Sequence, residues 1–244
     1  MKIIGIIPSR YNSNRFPGKP LVDIMGKSII QRVYGQSKKC ELLNKVIVAT
    51  DDERISFHVK SFGGEVMMTS QNHKNGTERC AEVIKNIEEK YDIVINIQGD
   101  QPFISPKHIN HVINMFKESS DIQITSLAAK FKDYETYIDE NNVKVFIDEH
   151  NVATKFERKA KLEEKEFKRN VIHKHIGIYA FKTNILNKII EFSNNPSCNN
   201  LNLEQLIWMK NNLNIHIGIT EHDSISVDKI EDLKRINKLH LKNN

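Results

Sequence analysis

Cysteine is scarce in this chain of 244 residues: Cys40, Cys80 and Cys198 lie far apart, with no CxxC pair and no Cys/His spacing of a zinc site. That excludes a disulfide-built scaffold and a zinc module, and it reads as thiols in a reducing compartment. Glycine (10) and proline (6) are too few for a collagen-like or low-complexity chain, and Ile, Val, Leu and Phe run along its whole length, which excludes disorder. No stretch approaches the roughly 18 uninterrupted apolar residues of a membrane span, and the apolar run that opens the chain is too short for a signal peptide. A cytoplasmic protein is expected. Neither sign of charge dominates, with 36 Lys and Arg against 31 Asp and Glu and a net charge of +5. Such an excess suits phosphate-bearing substrates, but it is too spread for a nucleic-acid-binding protein, and no RNP-like or helix-turn-helix pattern accompanies it.

What is present is alternation. β-rich apolar runs take turns with helical periodicity through the first half, the signature of βαβ units and a mostly parallel sheet. The pattern predicts strands at 2–7, 45–50, 65–68 and 92–97, and helices at 29–38, 53–62, 77–90 and 106–117. Asp51 and Asp52 can cap the second helix, and Ser105 with Pro106 opens the fourth. The second half predicts strands at 122–130, 143–148, 152–156, 175–181 and 214–220. A hairpin turns across Glu149-His150-Asn151, and helices follow at 184–192, 203–211 and 229–241. The charged run 159–169 reads as a solvated loop or short exposed helix. With no repeat or linker, the expectation is one α/β domain over 1–244, with a β-rich subregion near 120–180.

The chemistry concentrates in the loop after the first strand, Pro8-Ser9-Arg10-Tyr11-Asn12-Ser13-Asn14-Arg15-Phe16-Pro17-Gly18-Lys19-Pro20-Leu21. In an open α/β sheet such a loop lies where ligands bind. Arg10, Arg15 and Lys19 can surround a polyphosphate while Gly18 lets backbone come close. Pro20 after Gly18-Lys19 excludes a Walker A loop. The absence of GxGxxG argues against a nicotinamide-dependent oxidoreductase.

In the form Arg-x-x-Ser-x-Arg-x-Pro-Gly-Lys-Pro-Leu this loop resembles sugar nucleotidyltransferases, specifically the cytidylyltransferases that activate 3-deoxy-manno-octulosonate. Asn75-Gly76-Thr77-Glu78-Arg79, Asn96-Ile97-Gln98-Gly99-Asp100-Gln101-Pro102, His175-Ile176-Gly177-Ile178-Tyr179, Leu203-Glu204-Gln205-Leu206 and Val227-Asp228-Lys229-Ile230-Glu231-Asp232-Leu233 resemble the same family in the same order. The resemblance implies a Rossmann-like nucleotide-diphospho-sugar transferase fold, a mostly parallel mixed sheet flanked by helices, with a β-rich part for sugar binding and dimer contact. It implies transfer of CMP from CTP to a 2-keto-3-deoxy sugar acid, with release of pyrophosphate, in the service of lipopolysaccharide or capsule. Arg10, Lys19, Asp100 and Asp228 are the expected catalytic residues. Pro8, Ser13, Arg15, His73 and Gly76 join them around the nucleotide, and Asp100 and Asp228 hold Mg²⁺, whose hard octahedral preference suits carboxylate, phosphate and water. Arg79, Gln98, Arg158, His175, Tyr179, Glu204 and Gln205 are expected to read the sugar acid, the two arginines as its carboxylate- and phosphate-facing cations. The family tends toward homodimers.

The sequence departs from the family at Asn75, at Gln101 and at Glu157, where Ser, Glu and Ser are usual, and over 159–165. An anionic Glu157 beside the sugar would favour an amine-bearing acceptor such as an 8-amino analogue; the alternative is that Glu157 faces solvent. Activation of another nonulosonate, sialic or legionaminic acid, is the competing substrate reading.

Overall fold

A computed structural model describes residues 1–12, 16–193, 202–223, 225–227, 229–233 and 236. The chain divides into two units, Met1–Ile109 with Ser224–Asn244, and Asn110–Asp223.

In the first unit, β1 (Ile3–Ser9) is central and pairs in parallel with β4 (Lys45–Thr50) on one side and β6 (Ile93–Asn96) on the other; β5 (Val66–Met68) extends the sheet beyond β4, again in parallel. These strands are runs of β-branched residues rather than alternating ones because both faces are covered, and Ile4, Ile6, Ile7, Val48, Val94 and Ile95 are wholly buried. Parallel neighbours require crossovers, supplied by α1 (Ile29–Ser37), α2 (Glu53–Ser61) and α3 (Gly76–Asn86). Each begins at a polar cap: Ser28 Oγ accepts the Gln31 amide at 3.2 Å, Asp52 that of Arg54 at 3.0 Å, and Asn75 that of Glu78 at 2.8 Å. The chain between β1 and α1 contains a small hairpin, β2 (Asp23–Ile24) and β3 (Lys27–Ser28), turned by Met25 and Gly26 at φ 51° and 78°. Two successive positive φ values match a right-twisted hairpin, and the glycine takes one of them without strain. Because the sheet is parallel, the carboxyl ends of β1, β4 and β6 share one edge.

In the second unit, β7 (Ile124–Lys130) pairs in parallel with β11 (Ile215–Thr220) and antiparallel with β10 (His173–Lys182), whose register shifts between Ile176 and Tyr179. β8 (Lys144–Ile147) pairs antiparallel with β10 and with β9 (Ala153–Glu157), forming the expected hairpin. Its turn is made by Asp148, which accepts the amides of His150 and Val152 at 2.9 and 2.8 Å, and by Asn151 at φ 58°. The helices are α4 (Pro106–Glu118), which begins in the first unit, α5 (Tyr134–Ile138), α6 (Glu164–Phe167), α7 (Thr183–Ser193) and α8 (Glu204–Lys210).

The chain is thus a mixed α/β structure with mostly parallel pairing and flanking helices, as expected, and residues 120–180 fall within the second unit. Two details differ from the sequence reading. α5 was not anticipated, because five residues are too short to display helical periodicity. The run 159–169 does form a short helix, α6, but Leu162 and Phe167 turn inward against Phe131, Tyr137 and Ile172, so it is partly anchored rather than wholly solvated. The closing helix expected at 229–241 lies largely outside the described residues. No described helix is long and apolar enough to cross a membrane.

Candidate active site

In the first unit the loop after β1 folds back on itself. Gly18, at φ 71°, donates its amide to the Tyr11 carbonyl at 2.9 Å, and a Cβ there would come within 3.1 Å of the Tyr11 ring. Only glycine combines that positive φ with that close approach. A 3-10 turn, Lys19–Leu21, follows at once, with Pro20 pre-set for it. It delivers the Lys19 ammonium to Asp100, 2.9 Å away, and to the Val227 carbonyl, also at 2.9 Å. The Val227 amide in turn donates to the Asp100 carbonyl at 2.9 Å. Arg10, exposed, leaves β1 at the same edge. Sequence reasoning missed the support for this loop: the Arg54 guanidinium stacks 3.3 Å from the Tyr11 ring centre while two of its nitrogens bond the Asp52 carboxylate at 2.9 and 2.7 Å. No sequence motif signals that contact.

Backbone closeness defines the floor. A Cβ on Gly99 would lie 2.7 Å from the Pro8 carbonyl oxygen, and one on Gly76 3.2 Å from Pro8 Cγ, so the N-terminus of α3 and the chain after β6 both press on the end of β1. Gly76 opens α3, whose first amides carry partial positive charge. Gln98 Nε2 donates to Asn96 Oδ1 at 3.2 Å, and Asn96 Nδ2 donates to Thr77 Oγ1 at 3.3 Å, which fixes the Gln98 amide at the strand end. His73, half-buried, bonds through Nε2 to the Glu82 carboxylate and lies 3.7 Å from Glu78. Burial raises the Glu82 carboxyl, but the Ser70 amide and His73 outweigh it and hold the group below its ordinary value.

Arg79, expected at the sugar acid, is occupied by an anion of the protein. It is 3% exposed, and its guanidinium donates to Asp51 at 3.0 Å, to Thr69 Oγ1 and to the Ser70 carbonyl at 3.3 Å. A buried cation needs a paired anion, and Asp51, expected at the α2 cap, supplies it while Asp52 alone caps. The pair ties together the chain leaving β4 and β5. In this fold the Arg79 guanidinium is thus buried and neutralised by Asp51. Ser13, Arg15 and Asp228 lie outside the described residues.

Among the described residues no group of three or more His, Cys, Asp or Glu gathers as a metal cage. Mg²⁺ does not need one: it binds through one or two carboxylates and takes its other ligands from phosphate and water. Asp100, with its side chain 28% exposed at the sheet edge, fits that demand.

The second unit holds the remaining residues. His175 is buried, its Nε2 2.9 Å from Ser126 Oγ. The Ser126 hydroxyl also reaches the Ile178 and Ile176 carbonyls at 2.8 and 3.3 Å; with its proton given to Ile178, its oxygen accepts from His175 Nε2 and Nδ1 is left an acceptor. Burial among Phe156 and Tyr179, whose rings lie 5.2 and 5.3 Å away, pulls the His175 pKa down to about 3, so the ring is neutral. Tyr179 packs edge-on to Trp208 at 4.9 Å. Burial raises its hydroxyl well above the ordinary value, the charge of Glu204 adds to this and that of Arg158 opposes it. Gln205 is buried beside half-buried Glu204 at the start of α8. Arg158 is exposed at the end of β9, its guanidinium 3.2 and 3.5 Å from the carbonyls of Glu140 and Asn141.

Glu157 is held between two lysines. Lys155 and Lys161 approach its carboxylate to 2.7 and 3.3 Å. Burial raises the group, but those two lysines outweigh it and hold it below its ordinary value, so its charge is neutralised locally.

The family described as Cytidylyltransferase matches this chain over residues 4–243. The 3-deoxy-manno-octulosonate cytidylyltransferase of Parabacteroides distasonis is 42% identical over 245 residues, spanning 96% of each chain. That of Bacteroides thetaiotaomicron is 42% identical over 243 residues, with the same coverage. Among solved structures, CMP:2-keto-3-deoxy-manno-octonic acid synthetase complexed with CTP superposes over the full length of both chains with a TM-score of 0.90 at 31% identity.

Proposed function

Because this chain belongs to the cytidylyltransferase family, we propose that it transfers CMP from CTP to 3-deoxy-D-manno-octulosonate. The anomeric hydroxyl oxygen of the sugar acid bonds to the α-phosphorus of CTP, the bond from that phosphorus to the bridging β-phosphate oxygen breaks, pyrophosphate leaves with the electron pair, and the hydroxyl proton passes to solvent. The observation that carries this reading is the junction of Lys19, Asp100 and Val227 at the edge where β1 and β6 end. A cation fixed there neutralises triphosphate charge as it shifts toward the leaving group.

Arg10, with Ser13 and Arg15 from the same loop, adds to that field, while Pro8, Gly76 and the His73 segment form the wall for the nucleoside. Asp100 and Asp228 hold Mg²⁺, which supplies charge neutralisation and orientation of the triphosphate. In the second unit, Arg158 meets the sugar carboxylate. Glu204, Gln205, Tyr179 and His175 pair the hydroxyls, and the bare Nδ1 of His175 suits a hydroxyl donor. The enzyme works as a homodimer in the cytoplasm.

The test is pyrophosphate release across a panel of sugar acids with each of the four nucleoside triphosphates, with and without Mg²⁺. CTP with the octulosonate and Mg²⁺ is the expected productive set. Faster turnover of sialic or legionaminic acid would transfer the assignment to those nonulosonates. Light scattering and cell fractionation test the dimer and its compartment.

A further inference from the structure

Among the described residues of the second unit, Lys144 is a lysine with no solvent exposure. It is wholly buried in β8, paired across the hairpin with Glu157 and, on the other side, with Lys174. Its ammonium donates to two main-chain carbonyls, Asp139 at 2.9 Å and Arg158 at 2.6 Å, and lies 5.9 and 5.4 Å from the ring centres of Phe131 and Tyr137. Burial lowers its pKa; the charges of Asp139, Glu140 and Glu157 offset this in part and that of Arg158 adds to it. An apolar side chain of the same length would fill this space more cheaply. What it could not do is hold residue 139 to residue 158.

That link matters because the Arg158 side chain refers to the same turn. Its guanidinium donates to the carbonyls of Glu140 and Asn141, one and two residues beyond the carbonyl that Lys144 grips. Main chain and side chain of Arg158 are therefore both measured against the 139–142 turn, and Lys144 sets the distance. We propose that Lys144 is a positioning residue for Arg158, orienting its guanidinium toward the sugar-acid carboxylate; this rests on the assignment of Arg158 above. Lys144 itself touches no substrate. The rings and carbonyls around it already take its donors, and its role is to convert a flexible strand end into a fixed mount.

The test is a double-mutant cycle in the full-length protein with Lys144→Met and Arg158→Met, measuring KM for the octulosonate and for CTP separately. Lys144→Met should raise KM for the sugar acid by about tenfold, the loss of one charge-assisted contact, and leave KM for CTP within about twofold, since the nucleotide-facing groups are in the first unit. In the Arg158→Met background the same substitution should change sugar-acid KM little, because its effect passes through the missing guanidinium. Equal increases in both backgrounds, or parallel increases in both KM values, would mean that Lys144 only stabilises the unit and would overturn the proposal. Lys144→Gln, which keeps N–H donors and is less disruptive, goes through the same cycle and should fall between wild type and Met; no effect on sugar-acid KM would also overturn it. If the wild-type protein turns over no octulosonate with CTP, the substrate assignment fails instead, which is a separate result.

Discussion

Lys19 and Asp100, 81 positions apart, share a 2.9 Å ion pair whose ammonium also holds the Val227 carbonyl, 208 positions away. With side chains 15% and 28% exposed, such a pair contributes little to stability, about 0–1 kcal/mol. Its value lies in fixing a cation at the ligand edge of the sheet. Lys19→Met should therefore lower kcat by about 100-fold or more, with a midpoint of thermal unfolding within a few degrees of wild type. Pyrophosphate release and calorimetry on the same preparation check this. Near-normal kcat would remove Lys19 from the triphosphate.

Arg79 should show the opposite balance. Removing it leaves the half-buried Asp51 carboxylate without its cation, so Arg79→Met should cost about 2–4 kcal/mol in urea unfolding, somewhat below a fully buried pair. Combining it with Asp51→Asn should recover part of that loss, because no half-buried carboxylate is then left without its cation. Sugar-acid KM of the folded enzyme should change little. Unaltered stability with a large rise in that KM would return Arg79 to the ligand.

The two arginines show what the sequence could and could not reveal. The strands of the first unit and the Asp52 cap are legible because a parallel sheet buried on both faces writes itself as continuous Ile and Val runs, while the Ser28 and Asn75 caps show only in the structure. The Gly18-Lys19-Pro20 turn was legible for the same local reason. Partnership was not. Arg79 sits in the resemblance exactly as a ligand cation would, and only the fold brings Asp51 from 28 positions away to claim it. Ser126, which sets the His175 tautomer, lies 49 positions from it on an ordinary-looking strand. Lys144 reads as one more lysine in a chain with many, because burial is a tertiary fact.

His175 gives a pH dependence. Its pKa is about 3 in the folded protein against an ordinary 6.5. The neutral ring contributes its full stability above about pH 6.5. Between there and about pH 3 the unfolded chain binds a proton that the folded one does not, so stability falls as pH falls, by up to about 1.4 kcal/mol per pH unit for one group. His173 and His216 are also lowered, chiefly by burial, and add in the same direction. His175→Gln should flatten the stability slope between about pH 4 and 6 by roughly one proton's worth, read from urea midpoints at a series of pH values. An unchanged slope would mean that the ring is accessible to protonation in the folded state.

Glu157 bears on the choice of acceptor. At the sequence level its negative charge beside Arg158 suggested an amine on the sugar, yet the carboxylate is closed by Lys155 and Lys161 and is only 14% exposed. An ammonium bound there would share the carboxylate with two lysines, and like charges at such distances repel. Glu157→Gln should change kcat/KM for the parent octulosonate by less than about threefold, the scale of a partly screened surface pair, and should not reverse the preference for the parent acid over its 8-amino analogue. Competition between the two acids for one pool of CTP measures that preference directly. A wild-type enzyme that favours the amino sugar, and loses the preference on Glu157→Gln, would show that the carboxylate leaves its lysines to reach the substrate.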